Sequence, residues 1–253
     1  MKSRKIAPTV RATNSAMGPA AAGSLELAEA PSGRLAVRPL PAGSDIRKVG
    51  AEEVAAVAES LARAFYDDPM MRWLFPVDAR RLERLRDGFE FYLARIWLRH
   101  DACYTTDRRI GAACWLPPGT WRLSLPRQLA LLPAMVRRFG RDLPRLMRFF
   151  AAIEKVHPHE PHMYLPAVGV APEWQGRGFG AALLRPVLER CDRERLPAYL
   201  EATSPRNRAL YERHGFETVE ELRVAKDAPL VWRMWRAARA GDESDTGTHD
   251  SGG

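Results

Sequence analysis

Apolar and polar positions in the middle of the chain follow helical and strand periods. Between residues 54 and 65 the apolar side chains recur at steps of three and four, which predicts an amphipathic helix that ends at residues 67–69. The same period over residues 78–99, with arginines on the opposite side, predicts a second helix. Short apolar runs predict strands at residues 45–49, 102–106 and 110–115, the last two joined as a hairpin.

The second half of the chain continues this alternation of elements. Residues 123–156 have a helical period interrupted by prolines, so we expect helices with breaks between them. The elements predicted after them are a strand at 163–170, a helix at 178–194, a strand at 198–202, a short helix at 206–213 and strands near 216–224 and 230–235. This order predicts one α/β or α+β sheet with helices on its faces.

The two ends differ from the middle. Residues 1–33 and 241–253 are mostly small or polar and could bury too little apolar surface to offset chain ordering, so we expect disordered tails. The remaining residues, 34–240, fit one domain with a helical insertion at about 120–156. The basic start precedes no apolar stretch of signal-peptide length, and no apolar run is long enough to span a membrane. We therefore expect a cytoplasmic protein without a membrane partner.

Charge and cysteine content narrow the chemistry. The chain has 39 basic and 31 acidic residues, and most of the bases are arginines, which bind phosphates and carboxylates with two hydrogen bonds. This excess favours anionic partners, or it reflects a compositional bias alone. Cys103, Cys114 and Cys191 form no C-x-x-C pair, so buried reduced thiols are expected. Three histidines and a glutamate at residues 157–162 have the residue types of a metal site, but the interleaved prolines favour an extended segment, and we predict no metal.

A glycine-rich loop is predicted between the strand at 163–170 and the helix at 178–194. Its sequence, Gln-Gly-Arg-Gly-Phe-Gly at residues 175–180, gathers unpaired backbone N–H groups at the positive end of a helix, an arrangement that binds phosphate. The G-x-G-x-G spacing differs from the dinucleotide G-x-G-x-x-G, and no G-K-[ST] follows. The loop therefore predicts a phosphate site of another type.

Residues 157–235 resemble the GCN5-related N-acetyltransferase (GNAT) superfamily. The coenzyme A loop of that family has Gln or Arg, two residues, Gly, one residue, then Gly or Ala, and Gln175, Gly178 and Gly180 fill these positions. Residues 200–216 are most similar to puromycin N-acetyltransferase and its bacterial relatives. The resemblance implies a central mixed, mostly antiparallel sheet of six to seven strands, helices on both faces, and splayed strands that form a cleft for acetyl-CoA.

The resemblance also implies roles for individual residues. The backbone of Val168 and Val170 would bind the pantetheine arm and the thioester carbonyl, Asn207 would contact the same arm, and Tyr211 would lie beside the sulfur. The implied cofactor-binding residues are Val168, Gly169, Val170, Gln175, Gly176, Arg177, Gly178, Phe179, Gly180, Ala181 and Asn207.

Acetyl transfer to an amine needs an acid and a base, and two residues have suitable chemistry. A phenol can protonate a departing thiolate of similar basicity, so Tyr211 is the candidate general acid; packing under Phe216 is the alternative. Glu201 follows an apolar strand run and is the candidate base; a solvent-facing carboxylate or the partner of an arginine is the alternative.

These observations predict direct acetyl transfer from acetyl-CoA to a primary amine of a small molecule, either antibiotic-like or a metabolite, by a monomer or homodimer. Acetylation of protein or peptide amines is the second candidate. A catalytically silent coenzyme A sensor and a nucleic-acid binder are others, although the chain has no interleaved aromatic and basic motif for nucleic acid. If the basic residues of segment 121–155 lined the acceptor pocket they would favour an anionic or neutral acceptor, unless they face water.

Overall fold

The computed structural model describes residues 45–238, so the expected tails at 1–33 and 241–253 lie outside the described residues. Seven strands form one sheet in the order β1-β2-β3-β4-β5-β7-β6. Neighbouring strands are antiparallel except β4 and β5, which are parallel. The strands are β1 (Ile46–Lys48), β2 (Cys103–Thr106), β3 (Gly111–Leu116), β4 (Met163–Val170), β5 (Ala198–Ala202), β6 (Glu217–Arg223) and β7 (Leu230–Arg236). The predicted fold class, a mixed and mostly antiparallel sheet with helices, is confirmed.

Helices cover both faces of the sheet. The helices are α1 (Val54–Phe65), α2 (Pro69–Leu74), α3 (Asp78–Arg95), α4 (Leu125–Phe139), α5 (Leu143–Val156), α6 (Phe179–Glu194) and α7 (Pro205–Glu212). Apolar residues of α1 to α5 pack on one face, and those of α6 and α7 pack on the other. Among the described residues no helix is long and apolar enough to cross a membrane.

The connection after α1 differs from the prediction. The residues expected only to end the first helix also begin α2, because Asp68 caps it. Oδ1 of Asp68 accepts hydrogen bonds from the backbone N–H groups of Met70, at 2.9 Å, and Met71, at 3.1 Å. Pro69 occupies the first turn, where no backbone donor is needed. A cap of this kind contributes about 1 kcal/mol, which lets a six-residue helix form.

A β-bulge in β4 shapes the centre of the sheet. Tyr164 pairs with Leu116 of β3, and Ala167 pairs with Cys114. Between these two pairs β4 advances by three residues, whereas β3 advances by two. The extra residue on β4 changes the edge to which the following backbone groups point. The N–H of Met163 donates to the residue before β5, at 2.9 Å. Eight residues later, past the bulge, the N–H of Ala171 instead donates to the residue before β3, at 2.8 Å.

The bulge leaves one edge of β4 without a strand partner. The backbone groups of successive strand residues point to alternate edges of the strand. Because the N–H of Ala171 points to β3, the backbone groups of Val170 and Val168 point away from β3. On that side β4 pairs with β5 only as far as Leu165 and Leu200. The two strands then separate, because the bulge turns the backbone of Ala167 to β3 and β5 continues along β7. A gap between β4 and β5 results, bordered by the backbone of Val168 and by the N–H of Val170, whose carbonyl is bound by Gln175.

Candidate active site

The glycine-rich loop lies between β4 and α6. Gly176 and Gly178 have φ angles of 75° and 90°, in the left-handed region that favours glycine. Gly178 is the N-cap of α6, and the first hydrogen bond of the helix runs from Ala182 N to Gly178 O, at 3.0 Å. The N–H groups of Phe179, Gly180 and Ala181 therefore lie in the first turn, where no residue of the helix accepts them. The loop thus presents several backbone donors at the positive end of a helix dipole.

Side chains fix this loop and add positive charge. Nε2 of Gln175 donates to the carbonyl of Val170, at 2.9 Å, which ties the loop to the end of β4. The guanidinium of Arg177 lies over the ring of Trp174, at 5.0 Å from its centroid, and Arg108 lies over the same ring at 5.3 Å. Arg108 comes from the turn between β2 and β3, so sequence proximity gave no sign of it.

Gly169 lies on the face of β4 that packs against α1. A Cβ at this position would approach the side chain of Ala64 to 2.9 Å and that of Phe65 to 3.0 Å. The absence of a side chain therefore allows α1 to pack closely over the end of β4. Gly169 is thus next to the gap, but it touches α1 rather than the loop.

The helix α7 carries the two residues predicted beside the coenzyme arm. Oγ of Ser204 caps α7 by accepting the N–H of Asn207, at 3.2 Å. Tyr211 is buried, and its ring meets that of Phe216 edge to face, at 6.0 Å. Burial raises the pKa of Tyr211, and the nearby Asp68 raises it further, so the phenol stays protonated. The packing on Phe216 is present, and the acid role stays a prediction.

Glu201 is buried on the opposite face of the sheet from Tyr211. Its neighbours Leu200 and Ala202 pack with α6 and α7, so Glu201 projects to the other face. Its side chain is 7% exposed, and Oε2 accepts a hydrogen bond from Oη of Tyr164, at 2.8 Å. Burial raises the pKa of Glu201 to about 7, partly opposed by this hydrogen bond. The alternative that Glu201 is a solvent-facing carboxylate is therefore wrong. Glu201 directly follows Leu200, the last residue of β5 that pairs with β4.

Two histidines before β4 complete this cluster. The ring of His157 stacks on Trp121, with centroids 3.8 Å apart, and its Nε2 lies 3.1 Å from Nε2 of His162. Nδ1 of His162 lies 2.6 Å from the carbonyl oxygen of Glu160. Burial lowers the pKa of His157 to about 3. No group of three metal-ligating side chains occurs in the part of the chain that the structure describes.

The sequence alone presents these histidines as possible metal ligands or as part of an extended segment before the strand. Their position directly before the central strand was the signal that could have placed them near the site. Val168 and Val170 border the β4–β5 gap, and Glu201 follows the last pair of these strands. The loop follows β4, and Tyr211 lies on the other face of the sheet.

Arginines of segment 121–155 bind neighbouring elements. The guanidinium of Arg127 donates to the carbonyl of Arg95, at 2.7 Å. Arg138 donates in the same way to the carbonyl of Asp87, again at 2.7 Å. A third, Arg122, pairs with a glutamate of α5 at 2.8 Å. These contacts anchor α4 to α3, and α5 to the segment before α4, so this part of the arginine excess has a packing role.

A central sheet opened between two parallel strands, with a phosphate-type loop leading into the next helix, is the arrangement that the resemblance to the GNAT superfamily implies. Residues 144–216 match the model of the acetyltransferase (GNAT) family. An uncharacterized N-acetyltransferase of Schizosaccharomyces pombe is 27% identical over 196 residues, which cover 73% of this chain and 79% of that protein. These matches support a GNAT acetyltransferase, and the similarity to puromycin N-acetyltransferase stays a prediction.

Solved structures share the fold. The crystal structure of histone acetyltransferase HPA2 and related acetyltransferase from Corynebacterium glutamicum has a TM-score of 0.62 and 24% identity, covering 79% of this chain and 99% of that one. The polyamine N-acetyltransferase of Drosophila melanogaster, which catalyses the formation of N-acetylagmatine, has a TM-score of 0.51 and 16% identity. It covers 76% of this chain and 99% of its own.

Proposed function

We propose that this enzyme transfers the acetyl group of acetyl-CoA directly to a primary amine of a small molecule. The observation that carries the proposal is the buried Glu201 carboxylate at the β4–β5 gap, with a pKa of about 7. A base of this pKa is half ionised near neutral pH, where it accepts protons efficiently. Members of the GNAT family use acetyl-CoA, and the loop and cleft of this chain supply the groups that such a co-substrate needs.

The loop residues bind the pyrophosphate of the coenzyme in this proposal. The first-turn N–H groups at residues 179–181 donate to the phosphate oxygens, and Arg177 and Arg108 add positive charge beside them. The open backbone of Val168 and the N–H of Val170 pair with the pantetheine arm as a missing strand would. Asn207 contacts the same arm from α7.

Glu201 and Tyr211 handle the two protons. Glu201 removes a proton from the bound ammonium group, which frees the nitrogen lone pair to attack the thioester carbonyl. The N–H of Val170 stabilises the negative charge that develops on the carbonyl oxygen. As the carbon–sulfur bond breaks, Tyr211 protonates the leaving thiolate. Their placement on opposite faces of the sheet supports this division, because the amine and the coenzyme then approach from different sides.

Direct transfer is supported by the state of the cysteines. Cys103, Cys114 and Cys191 are buried. Burial raises the pKa of Cys191 to about 11 and that of Cys114 well above its ordinary value. A protonated thiol is a poor nucleophile, so an acetylated cysteine is not expected. Mass spectrometry of the enzyme mixed with acetyl-CoA alone should show no stable acetyl adduct, whereas an adduct would contradict direct transfer.

The structural neighbours favour a small amine as acceptor, since one of them forms N-acetylagmatine. The similarity to puromycin N-acetyltransferase makes an antibiotic-like amine a further candidate. A protein amine is the second candidate function, because another neighbour is a histone acetyltransferase. We further propose one domain over residues 34–240, acting in the cytoplasm as a monomer or homodimer.

Release of coenzyme A thiol across an amine panel tests the proposal. Agmatine, spermidine, tyramine and puromycin represent the small amines, and a histone-tail peptide represents protein substrates. Thiol release with a small amine at a higher kcat/KM than with the peptide is expected. Release with the peptide alone would favour the second function, and tight acetyl-CoA binding with no release would indicate a sensor.

A further inference from the structure

Two buried polar atoms face each other at the β4–β5 gap. Nδ1 of His157 and Oε1 of Glu201 are 4.0 Å apart, on side chains that are 1% and 7% exposed. Neither atom has a hydrogen-bond partner among the described residues. Buried polar atoms in folded proteins are nearly always paired, so two unpaired atoms only 4.0 Å apart indicate that a ligand group belongs between them.

The hydrogen bonds around His157 determine what that group must be. The carbonyl oxygen of Glu160 can only accept, so the proton of neutral His162 is on Nδ1. Nε2 of His162 therefore accepts from Nε2–H of His157. Nδ1 of His157 is left as a bare lone pair, because the low pKa of this ring keeps it neutral. The site consequently offers an acceptor, not a donor, on its histidine side.

Glu201 offers a second acceptor at the same point. Its Oε2 is already engaged by the hydroxyl of Tyr164, so Oε1 carries the free lone pairs. A donor about 2.8 Å from both Oε1 and the Nδ1 atom of His157 would subtend an angle of about 90° between them. That angle suits an ammonium nitrogen, which has several N–H bonds in a roughly tetrahedral arrangement.

Among the described residues, Arg233 lies beside this cluster, and its guanidinium is bound to other groups. Arg233 donates from Nε to Oη of Tyr199, at 3.1 Å, and binds the carbonyl of Val156 and the carboxylate of Glu220. The rings of Tyr164, Tyr199 and Trp121 surround the imidazole of His157, with the rings of Tyr164 and Tyr199 nearly perpendicular to it. Aromatic rings of this kind attract a cation.

We propose that the acceptor amine binds as an ammonium group with its nitrogen between Glu201 Oε1 and His157 Nδ1. This inference rests on the proposed function and names the atoms that recognise the substrate. When Glu201 takes one proton, a remaining N–H still donates to His157. The new lone pair forms where that proton was, on the side of Glu201, and rotation about the carbon–nitrogen bond then turns it toward the thioester carbon that the nitrogen attacks. His157 is a substrate-binding residue in this reaction, and the substrate class is a primary amine that is cationic in solution.

Two substitutions test the acceptor atom of His157, Nδ1, separately from the hydrogen bond of its Nε2 to His162. His157→Asn places an amide oxygen near the position of Nδ1 and loses the bond to His162. His157→Gln reaches the position of Nε2, keeps that bond, and leaves no acceptor near Glu201. The exposed His159 provides a control, His159→Ala, that changes a neighbouring imidazole without touching the cluster.

Steady-state kinetics with agmatine, spermidine, tyramine and puromycin at saturating acetyl-CoA give the first measurement. His157→Gln should raise the KM of the preferred amine at least 10-fold, while the KM for acetyl-CoA changes less than 2-fold. His157→Asn should raise the amine KM less than His157→Gln does, and His159→Ala should match the native enzyme. An unchanged amine KM in folded His157→Gln, checked by its thermal unfolding, would overturn the inference.

A second measurement uses the native full-length chain and needs neither a folded variant nor turnover. Nitrogen NMR of histidine-labelled enzyme saturated with coenzyme A should show an unprotonated Nδ1 signal that shifts when one of the four amines is added. The N,N,N-trimethyl derivative of that amine, which has no N–H, should not shift it.

Comparison of the two measurements separates the inference from the proposed function. Thiol release without a shift would overturn the inference alone, and a shift without thiol release would overturn the function alone. The absence of both would overturn both.

Discussion

The acid limb of the pH–rate profile should report the ionisation of Glu201. The perturbation is a change of pH, and the quantity is kcat/KM for an acetylated amine, which reflects groups in the free enzyme and free substrate. Burial raises the pKa of this carboxyl from its ordinary 4.5 to about 7. At pH 6 about one tenth of the enzyme then has an ionised base, so kcat/KM should fall about 10-fold from its plateau. With an ordinary glutamate it would be almost unchanged at that pH.

The pKa values of neighbouring groups are shifted away from that of Glu201. Burial raises the pKa of Tyr164 and of Tyr199, and it lowers that of His157 to about 3. Burial also lowers the pKa of His162, and Arg233 stays charged. The alkaline limb should instead follow the pKa of the amine, because the ammonium form is the form that binds. Exchanging one amine for another with a different pKa should move the alkaline limb and leave the acid limb in place.

A matched variant tests the assignment of the acid limb. The hydroxyl of Tyr164 donates to Glu201 and lowers the pKa of that carboxyl. Tyr164→Phe should therefore move the acid limb to higher pH. A hydrogen bond to a charged group contributes about 1.5–3 kcal/mol, which corresponds to a rise of about 1–2 pH units. Glu201→Gln should remove the limb and lower kcat about 100-fold or more. An acid limb near pH 7 that persists in Glu201→Gln would refute the reasoning.

Further predictions concern stability and the second proton. The folded protein holds the proton of Glu201 more tightly than the unfolded chain does. The free energy of unfolding should therefore fall by about 3 kcal/mol as the pH rises from 4.5 to 7. Denaturant titrations of Glu201→Gln should lack this fall. Gly111→Ala should lower stability by about 1–3 kcal/mol, because its Cβ would lie 2.4 Å from a backbone oxygen of β4. Gly88→Ala should raise stability by about 0.5–1 kcal/mol, because Gly88 lies in the middle of α3 and its new Cβ would meet only the ring of Phe139, at 3.4 Å. Thermal unfolding that ranks the two variants in the opposite order would contradict both estimates. Tyr211→Phe should lower kcat and leave acetyl-CoA binding by calorimetry nearly intact, and unchanged turnover would remove Tyr211 as the acid.

Local patterns in the sequence determined most of the fold and the loop. Helical and strand periods placed nearly all the elements, because each depends on which side chains alternate along a short segment. The loop at residues 175–180 was also readable, since its glycines and the helix after it are neighbours in the chain. The short helix α2 was missed because Asp68 and Pro69 end one helix and begin the next, and only the observed cap distinguishes the two roles.

The tertiary structure decided the chemistry of the gap. The bulge that turns Val170 toward the open edge depends on how β4 registers with β3, which no local pattern encodes. The sequence offered Glu201 equally as a base or as a surface carboxylate. Its pKa near 7 arises because distant parts of the chain, among them Tyr164 and His157, exclude water from it. The sequence alone thus determined the elements and the phosphate-type loop. The burial of polar atoms and their arrangement across separate segments required the folded chain, because desolvation and hydrogen bonding depend on contacts that sequence distance does not specify.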